Sequence, residues 1–222
     1  LNQRVGESSA FRMAGMYTKA DNNGAGSSID KNGFAAAFRT GIGEQHEFMA
    51  SIYHLDNDNG MNYGLPWIKP RATDTGATNT VISGLDPAGY YGMASDYNAG
   101  QANIGTVAHT FRLSADTELK TQVRKGEYKR DQHAGTVRFA GVGTTPTTNP
   151  AAVDLSNFGP NTVFTRGLNL KIQDLDTVQA QSDFSSKFAA FGMKHHLLAG
   201  VDYSRDERTV YGALSAAQGG LP

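Results

Sequence analysis

Cysteine is absent from the 222-residue sequence, which excludes a disulfide framework and a thiolate metal site. Long hydrophobic runs are also lacking, because the longest, such as 34–38 and 197–201, fall far short of the roughly 20 apolar residues of a membrane-spanning helix. Neither sign of charge is in excess, since the formal net charge is -1, and composition gives no reason to expect nucleic-acid binding. The remaining classes are a soluble protein or a β-barrel, whose strands alternate apolar and polar residues.

Alternation with a period of two residues is the main pattern that the sequence does contain. Glycine is abundant, with 26 residues, and turn dipeptides such as Asn23-Gly24 and Asn59-Gly60 separate the alternating segments. The longest alternation runs over 168–188, well beyond the usual strand length of under about ten residues. Its mostly apolar face holds Leu168, Leu170, Ile172, Val178, Ala180, Ser182, Phe184, Ser186 and Phe188. A barrel strand that projects beyond the bilayer explains this length better than a soluble strand does.

Shorter segments repeat the pattern along the chain. Alternation predicts strands near 11–18, 33–42, 47–53, 119–124 and 196–204. The segment 103–113 is ambiguous, with Ile104 and Ala108 on one side and Val107, His109 and Phe111 on the other. We expect the apolar faces, including Phe34, Phe38, Phe184 and Phe188, to contact lipid.

Short and long connections alternate strictly between these predicted strands. The short connections lie near 4–8, 43–45, 114–117 and 192–194, and the long ones are 21–32, 58–101 and 131–165. Short turns at one rim and long loops at the other are typical of outer-membrane barrels. The sequence therefore predicts an all-β fold, an antiparallel transmembrane β-barrel meander with the loops 58–101 and 131–165 outside the cell.

The number of strands predicts an incomplete barrel. About seven strands are expected, with a stub at Leu1–Gln3, and an open set of this kind has two unpaired edges. The sequence begins at Leu1 without a start methionine or a signal-peptide pattern. We therefore expect residues 1–222 to be one partial barrel domain that neither folds nor transports alone.

Several stretches, weak singly but specific in their order, carry a resemblance to a known family. The sequence resembles TonB-dependent siderophore receptors of Gram-negative outer membranes over nearly its whole length. The stretches are Leu1-Asn2-Gln3-Arg4 with Phe11-Arg12, Asn62-Tyr63-Gly64-Leu65-Pro66-Trp67, Tyr90-Tyr91-Gly92, Ser95-Asp96-Tyr97-Asn98, His109-Thr110-Phe111, Leu119 with Gln122-Val123-Arg124, and Lys194-His195-His196 through Ala199-Gly200-Val201-Asp202. Asn62 stands where the family's loop motif usually has aspartate.

The resemblance implies a 22-stranded barrel in the outer membrane, filled by an N-terminal plug domain. It also implies that ferric siderophore binds at the extracellular face and that the inner-membrane TonB complex supplies energy to move the plug. The sequence contains neither a plug domain nor a TonB box, and it covers only part of the implied strands. The implied partners are ferric siderophore, outer-membrane lipid, the plug domain and the TonB complex.

The residues show no catalytic constellation, so we predict that the protein is not an enzyme and has neither a metal site nor a bound cofactor. Asp56-Asn57-Asp58-Asn59-Gly60 has the look of a calcium loop. It fails because Met61 occupies the sixth position and Trp67 the twelfth, where a glutamate is required. We interpret this segment as a solvated turn. His195 and His196 are adjacent, so on a strand they point to opposite faces and cannot chelate together.

The long loop 58–101 is the predicted substrate-binding segment, with ferric siderophore as the transported ligand. Its candidate residues are Tyr63, Trp67, Lys69, Arg71, Tyr90 and Tyr91. Ferric siderophores are often anionic and aromatic, so cationic side chains and flat aromatic faces suit them. The alternative is that these aromatics pack the loop onto its neighbours or lie in an interface belt. Arg39 and Arg124 are interpreted as inner-wall groups that pair with the plug.

These observations predict an outer-membrane receptor for energy-coupled uptake of ferric siderophore. One alternative is a passive porin or other channel, which would have no plug. A second alternative is a soluble β-rich binding or adhesion module.

Overall fold

In a computed structural model, residues 1–21, 28–64, 67–68, 80–81, 86 and 88–212 are described, and everything below refers to them. They form ten β-strands and no helix that is long and apolar enough to cross a membrane. The strands are β1 (Asn2–Arg4), β2 (Ala10–Asp21), β3 (Ser28–Thr40), β4 (His46–Asn59), β5 (Trp67–Ile68), β6 (Thr80–Val81), β7 (Tyr97–Ser114), β8 (Thr117–Phe139), β9 (Phe164–Ala190) and β10 (Met193–Tyr211).

Eight of these strands form one sheet that follows the order of the chain. The order is β1-β2-β3-β4-β7-β8-β9-β10, and every neighbouring pair is antiparallel. The short β5 and β6 pair only with each other in the described residues. The predicted all-β antiparallel meander is confirmed, and so is the number of strands, seven with a stub at the start. Within the described ranges the sheet is open, because β1 pairs only with β2 and β10 only with β9.

The register separates an apolar face from a polar one. Phe38 lies opposite Ala50, Ala50 opposite Val107, and Val107 opposite Val123. Direct partners in an antiparallel pair point to the same face, so this row is apolar across four strands. The adjacent row consists of Ala37, Ser51, Thr106, Arg124 and Gln179 and points to the other face. Val107, His109 and Phe111 therefore lie on the apolar face, which resolves the segment whose sequence was ambiguous.

At the long-loop end of the sheet, the strands extend further than the sequence predicts. β8 has 23 residues and β9 has 27, more than a layer of about 30 Å of hydrocarbon requires. The predicted loops 58–101 and 131–165 were too long, because β7 begins at Tyr97, β8 ends at Phe139 and β9 begins at Phe164. The predicted loop 21–32 was also too long, since β3 begins at Ser28. Outside the bilayer both faces of a strand are polar, so the two-residue alternation disappears.

The β9–β10 hairpin is a two-residue turn at Phe191 and Gly192. Both residues have positive φ, 52° and 74°, as a type I′ turn requires. The turn was predicted at 192–194, but Met193 already pairs with Ala190 in the ladder. The predicted hairpin is thus confirmed, but its turn ends at Gly192, two residues earlier than predicted.

Gly41, in the β3–β4 turn, is a position where we expect a substitution to destabilise the sheet. Its φ is 68°, and a Cβ atom there would overlap the carbonyl oxygen of His46. Gly43 has a similar φ of 82° but open space around the Cβ position. We predict that Gly41→Ala lowers the free energy of unfolding by about 1–3 kcal/mol more than Gly43→Ala does. Urea unfolding of the full-length protein in lipid vesicles measures the difference, and equal losses would contradict the steric argument.

Candidate functional site

The C-terminal end of β8, on the long-loop side, has an edge without a strand partner among the described residues. A loop covers this edge. β7 begins at Tyr97 opposite His133, whereas β8 continues to Phe139 with β9 on its other side. Among the described residues, 134–139 therefore have a strand partner on one side only. The segment 88–96 lies along the free edge, where Asp96 Oδ1 accepts a hydrogen bond of 2.7 Å from the amide of Gly135. A carboxylate thus replaces the missing ladder partner.

Asp96 is the central acceptor of this loop. Its Oδ2 accepts hydrogen bonds of 2.9 Å from the amide of Met93 and from the hydroxyl of Tyr90. Its side chain is only 1% exposed, and Nδ1 of the buried His133 lies 3.5 Å from Oδ1. One buried carboxylate therefore joins the loop to itself and to β8.

Tyr90 links the beginning of the connection 60–96, at Met61, to its end, at Met93. Its hydroxyl lies 3.1 Å from the carbonyl oxygen of Met61 and 3.0 Å from that of Met93, in addition to its bond to Asp96. Burial and the hydrogen bond to Asp96 raise the pKa of Tyr90 to about 12. The hydroxyl therefore stays protonated into the alkaline range and remains a donor to the carboxylate.

Tyr63 and Tyr91 are held by their polar atoms and leave part of their rings accessible. The Gln132 amide nitrogen donates a hydrogen bond of 3.0 Å to the Tyr63 hydroxyl, and Gln132 itself is fully buried. The Tyr91 hydroxyl donates to the carbonyl of Asp86 at 3.0 Å, while the Tyr91 carbonyl accepts from Arg166 Nε at 2.9 Å. Tyr63 is 49% exposed, so part of its surface is available to a ligand.

The structure brings three of the six predicted site residues, Tyr63, Tyr90 and Tyr91, onto one loop assembly beside β8. The backbone of Trp67 lies in β5, opposite Val81, and Lys69 and Arg71 lie outside the described residues. The substrate-binding assignment of all six stays a prediction. Sequence reasoning missed the residues that build the assembly, namely Asp96, Gln132, His133, Gly135 and Arg166. Ser95-Asp96-Tyr97 was noticed only as part of a family resemblance, and 132–135 fell in a predicted loop.

The second long connection, 140–163, is closed at its base by one asparagine. The Asn149 amide nitrogen donates to the carbonyls of Ala140 and Val163 at 2.9 Å each, and its oxygen accepts from the Val163 amide at 2.8 Å. Asn149 is 2% exposed. Phe139 and Phe164 pack at 5.2 Å between ring centroids beneath it. Asn149 therefore holds the two ends of this connection together at the long-loop end of the β8–β9 hairpin.

The segment that resembles a calcium loop has a different structure from the one predicted. Asp56–Asn59 lie in β4 and pair with residues 98–101 of β7, so the solvated turn was wrong. Their alternate side chains point to opposite faces of the sheet. In the part of the chain that the structure describes, no group of three His, Asp or Glu residues is placed to hold a metal ion.

A charged cluster lies on the polar face at the short-turn end. Glu47 is 3% exposed and pairs with Arg39 of β3 and with Arg112 of β7, whose Nη2 lies 2.7 Å from Oε2. The carboxylate therefore ties three adjacent strands together. The structure gives Arg39 a partner on the neighbouring strand, and its predicted pairing with a plug stays a prediction. Arg124 lies on the same polar face, in the row of Thr106 and Gln179.

Aromatic rings form a band on the apolar face near the short turns. His109 stacks on Phe48 at 4.4 Å between centroids, and His46 stacks on Phe111 at 4.7 Å. Aromatic girdles of this kind lie at membrane interfaces. An open meander with one apolar face, an aromatic rim, a polar opposite face and alternating short and long connections is part of the wall of a transmembrane β-barrel.

Comparisons with known proteins agree with this class. No protein-family model matches the chain. It is 23% identical over 217 residues to the catecholate siderophore receptor Fiu of Escherichia coli O157:H7, covering 96% of this chain and 28% of Fiu. The crystal structure of the ferric-catecholate import receptor Fiu from E. coli K12 in its closed form superposes with a TM-score of 0.76 at 21% identity, over 96% of this chain and 29% of that one. The siderophore receptor PiuA from Acinetobacter baumannii gives 0.70 at 18% identity, over 93% and 27%.

These matches confirm the resemblance to siderophore receptors that the sequence indicates. They show that the chain shares its fold with β-barrel receptors. The chain spans less than a third of the length of the relatives that it matches.

Proposed function

We propose that this chain forms part of the barrel wall and extracellular loops of a Gram-negative outer-membrane receptor that takes up ferric siderophore. The observation that carries the proposal is similarity along 96% of the chain to proteins named as catecholate siderophore receptors. A passive channel and a soluble binding module lack this support. The receptor acts as a transporter and not as an enzyme, and the ferric complex is its cargo.

The ligand class that we propose is a ferric catecholate, an anionic complex with flat aromatic groups. Tyr63 and Tyr91 offer ring faces at the extracellular end of the barrel, and Trp67, Lys69 and Arg71 follow in the same connection. Tyr90 differs from them, because its hydroxyl is engaged with the buried Asp96. We assign Tyr90 to loop structure and the other five predicted residues to the ligand. Energy coupling through a plug domain and the TonB complex is part of the proposal and rests on the family resemblance.

Uptake of radiolabelled iron by cells that carry the full-length gene, in a strain without other siderophore receptors, tests the proposal. We expect saturable, energy-dependent uptake of a ferric catecholate and much weaker uptake of a ferric hydroxamate. Uptake that continues without an energised inner membrane would instead favour the passive channel. A product that is soluble and folds cooperatively without detergent would favour the soluble module.

Removing one exposed aromatic ring should weaken uptake without unfolding the barrel. For Tyr63→Ala we expect about a tenfold higher half-saturating concentration, because losing the aromatic contact costs about 1.4 kcal/mol. Tyr211→Ala is the matched control, since Tyr211 is 48% exposed at the extracellular end of β10 but lies on the outward face. Equal effects of the two substitutions would remove Tyr63 from the ligand site.

A further inference from the structure

Arg130, Gln132 and Tyr63 form a chain of hydrogen bonds at the long-loop end of β8. The Arg130 guanidinium donates to the side-chain oxygen of Gln132, and the Gln132 amide nitrogen donates to the Tyr63 hydroxyl at 3.0 Å. Gln132 is fully buried, whereas Tyr63 is half-exposed. The chain therefore leads from a cation on the polar face of the sheet, through a buried amide, to a phenol that a ligand can reach.

The direction of each hydrogen bond in this chain follows from the groups that make it. A guanidinium has only N–H donors, so the atom of Gln132 that faces Arg130 is its oxygen. The amide nitrogen therefore faces Tyr63, and because an NH2 group only donates, the Tyr63 oxygen is the acceptor. The hydroxyl proton of Tyr63 must then point away from Gln132. Among the residues that the structure describes, no other group accepts it.

The other two tyrosines of the connection 60–96 use their hydroxyl protons within the protein. The Tyr90 hydroxyl donates to the carboxylate of Asp96, and the Tyr91 hydroxyl donates to the carbonyl of Asp86. Of the three hydroxyls, only that of Tyr63 therefore keeps its donor for a ligand.

The polar face around Gln132 is positively charged. The alternate positions that point to this face along 128–138 of β8 and 165–175 of β9 contain no carboxylate. They hold three cations, Arg130, Arg138 and Lys171. Lys171 lies directly opposite Gln132 and is exposed. An anionic ligand is therefore attracted to the part of the wall where Gln132 holds Tyr63.

We propose that Arg130 and Gln132 are positioning residues, which fix the Tyr63 hydroxyl as a donor to an anionic oxygen of ferric catecholate. The iron-bound oxygens of a catecholate carry negative charge and no proton, so they accept hydrogen bonds and donate none. A hydrogen bond to such an ionised acceptor is stronger than one between neutral groups. Lys171 adds a cation on the same face. The inference rests on the proposed function and names the ligand atom that Tyr63 contacts.

Gln132→Glu reverses one hydrogen bond of the chain while keeping the shape of the side chain. One carboxylate oxygen still accepts from Arg130, but the other now accepts the Tyr63 proton, because a carboxylate has no donor. The ligand then meets the lone pairs of the phenol, which repel an anionic oxygen. We expect the Kd of the ferric complex of 2,3-dihydroxybenzoate, a simple catecholate probe, to rise about tenfold.

Tyr63→Phe removes the hydroxyl and keeps the ring, so its effect should be smaller, about fivefold. The double variant separates the lost proton from the added charge of the glutamate. Without a hydroxyl there is no proton to redirect, so Gln132→Glu in the Tyr63→Phe background should raise the Kd by only about twofold. Equal effects in the two backgrounds would show that charge alone acts.

Gln173→Glu is the matched control for the charge. Gln173 lies directly opposite Arg130 on the same face, and its side-chain oxygen likewise accepts from an arginine, Arg208, at 2.7 Å. A glutamate there adds the same charge without redirecting a tyrosine proton, so we expect at most about a twofold change in Kd.

Arg130 variants test the other end of the chain. In Arg130→Gln the Gln132 amide no longer faces a group that only donates, so it can turn over and the direction of the Tyr63 bond is lost. Arg130→Lys should restore binding, because an ammonium also only donates. Limited proteolysis between residues 60 and 96 should stay as in the unaltered protein in Tyr63→Phe and Gln132→Glu. A purely structural role of the chain would instead speed cleavage.

Fluorescence-quenching titration of the full-length protein in detergent gives the Kd values, and heat-modifiable electrophoretic migration shows whether each variant folds. Unchanged affinity in Tyr63→Phe, or equal effects of Gln132→Glu and Gln173→Glu, would overturn the proposal. Iron uptake by the unaltered protein would then leave the transport proposal standing. An unaltered protein that neither binds nor takes up the ferric catecholate would overturn both. If Gln132→Glu fails to fold, Tyr63→Phe and the two Arg130 variants decide.

Discussion

Asp96→Ala is expected to release the loop over β8 and to raise the half-saturating concentration of ferric siderophore more than tenfold. The carboxylate accepts hydrogen bonds from Gly135, Met93 and Tyr90 while almost fully buried. Each donor left unsatisfied in a buried position costs about 1–3 kcal/mol. Loop segments with few apolar contacts have little else to hold them in place. Tyr63 and Tyr91 would then no longer be presented in one fixed arrangement.

Limited proteolysis and iron uptake together measure this effect. Cleavage between residues 60 and 96 should become faster in Asp96→Ala, while the migration of the folded barrel stays unchanged. Asp96→Asn should be intermediate, because the amide keeps one acceptor oxygen of the same shape. Asp86→Ala is the control, since within the described residues the side chain of this exposed aspartate caps only the Ala88 amide. Wild-type cleavage and uptake in Asp96→Ala would show that the carboxylate does not anchor the loop.

Glu47→Ala is expected to lower the free energy of unfolding of the barrel by about 2–3 kcal/mol, because hydrogen bonds between charged groups are lost. The substitution leaves the guanidinium groups of Arg39 and Arg112 facing each other without their shared carboxylate. It also removes the acceptor 3.4 Å from the amide of Gly43 in the β3–β4 turn. Because Glu47 bridges β3, β4 and β7, the loss affects two strand interfaces at once.

The urea midpoint of the full-length protein in lipid vesicles measures this stability. Glu118→Gln provides a matched control, because Glu118 also contacts Arg112, at 4.0 Å, but is 48% exposed. We expect it to change the free energy by less than about 1 kcal/mol, as exposed ion pairs do. Adding Arg39→Gln to Glu47→Ala should recover part of the loss, since one uncompensated cation is removed. No difference between Glu47→Ala and Glu118→Gln would contradict the bridging role.

The strands within the apolar band could be predicted from the sequence because their signal is local. Phe34 and Phe38, or Leu119 and Val123, alternate with polar residues, and a two-residue period follows directly from strand geometry. The segment 103–113 was ambiguous because small residues such as Gly105 and Ala108 occupy both faces. The upper part of β8 was missed for a related reason. Residues 131–139 are mixed on both faces, and pairing with β9 and burial beneath the loop are contacts that alternation does not reveal.

The candidate site could be predicted only as a set of residue types in one long connection. Tyr63 and Tyr90 were chosen for their aromatic rings. Gln132, the partner of Tyr63, is far from it in the sequence, and Asp96, the partner of Tyr90, has no distinguishing sequence pattern. Asp96 reads as an ordinary loop aspartate until its burial and its three donors are known. A hydrogen bond that replaces a missing strand partner depends on where β7 ends relative to β8, which a single sequence does not encode locally.

The unequal lengths of β7 and β8 determine which part of the protein extends furthest from the membrane. In the proposed orientation, the β8–β9 hairpin stands above its neighbour β7, with the Asn149-closed connection at its tip. A large particle such as an antibody would touch this tip before it could reach the tyrosines beside Asp96. A small iron complex could pass beside the tip. The stepped rim would therefore shield the ligand site from macromolecules while admitting the nutrient.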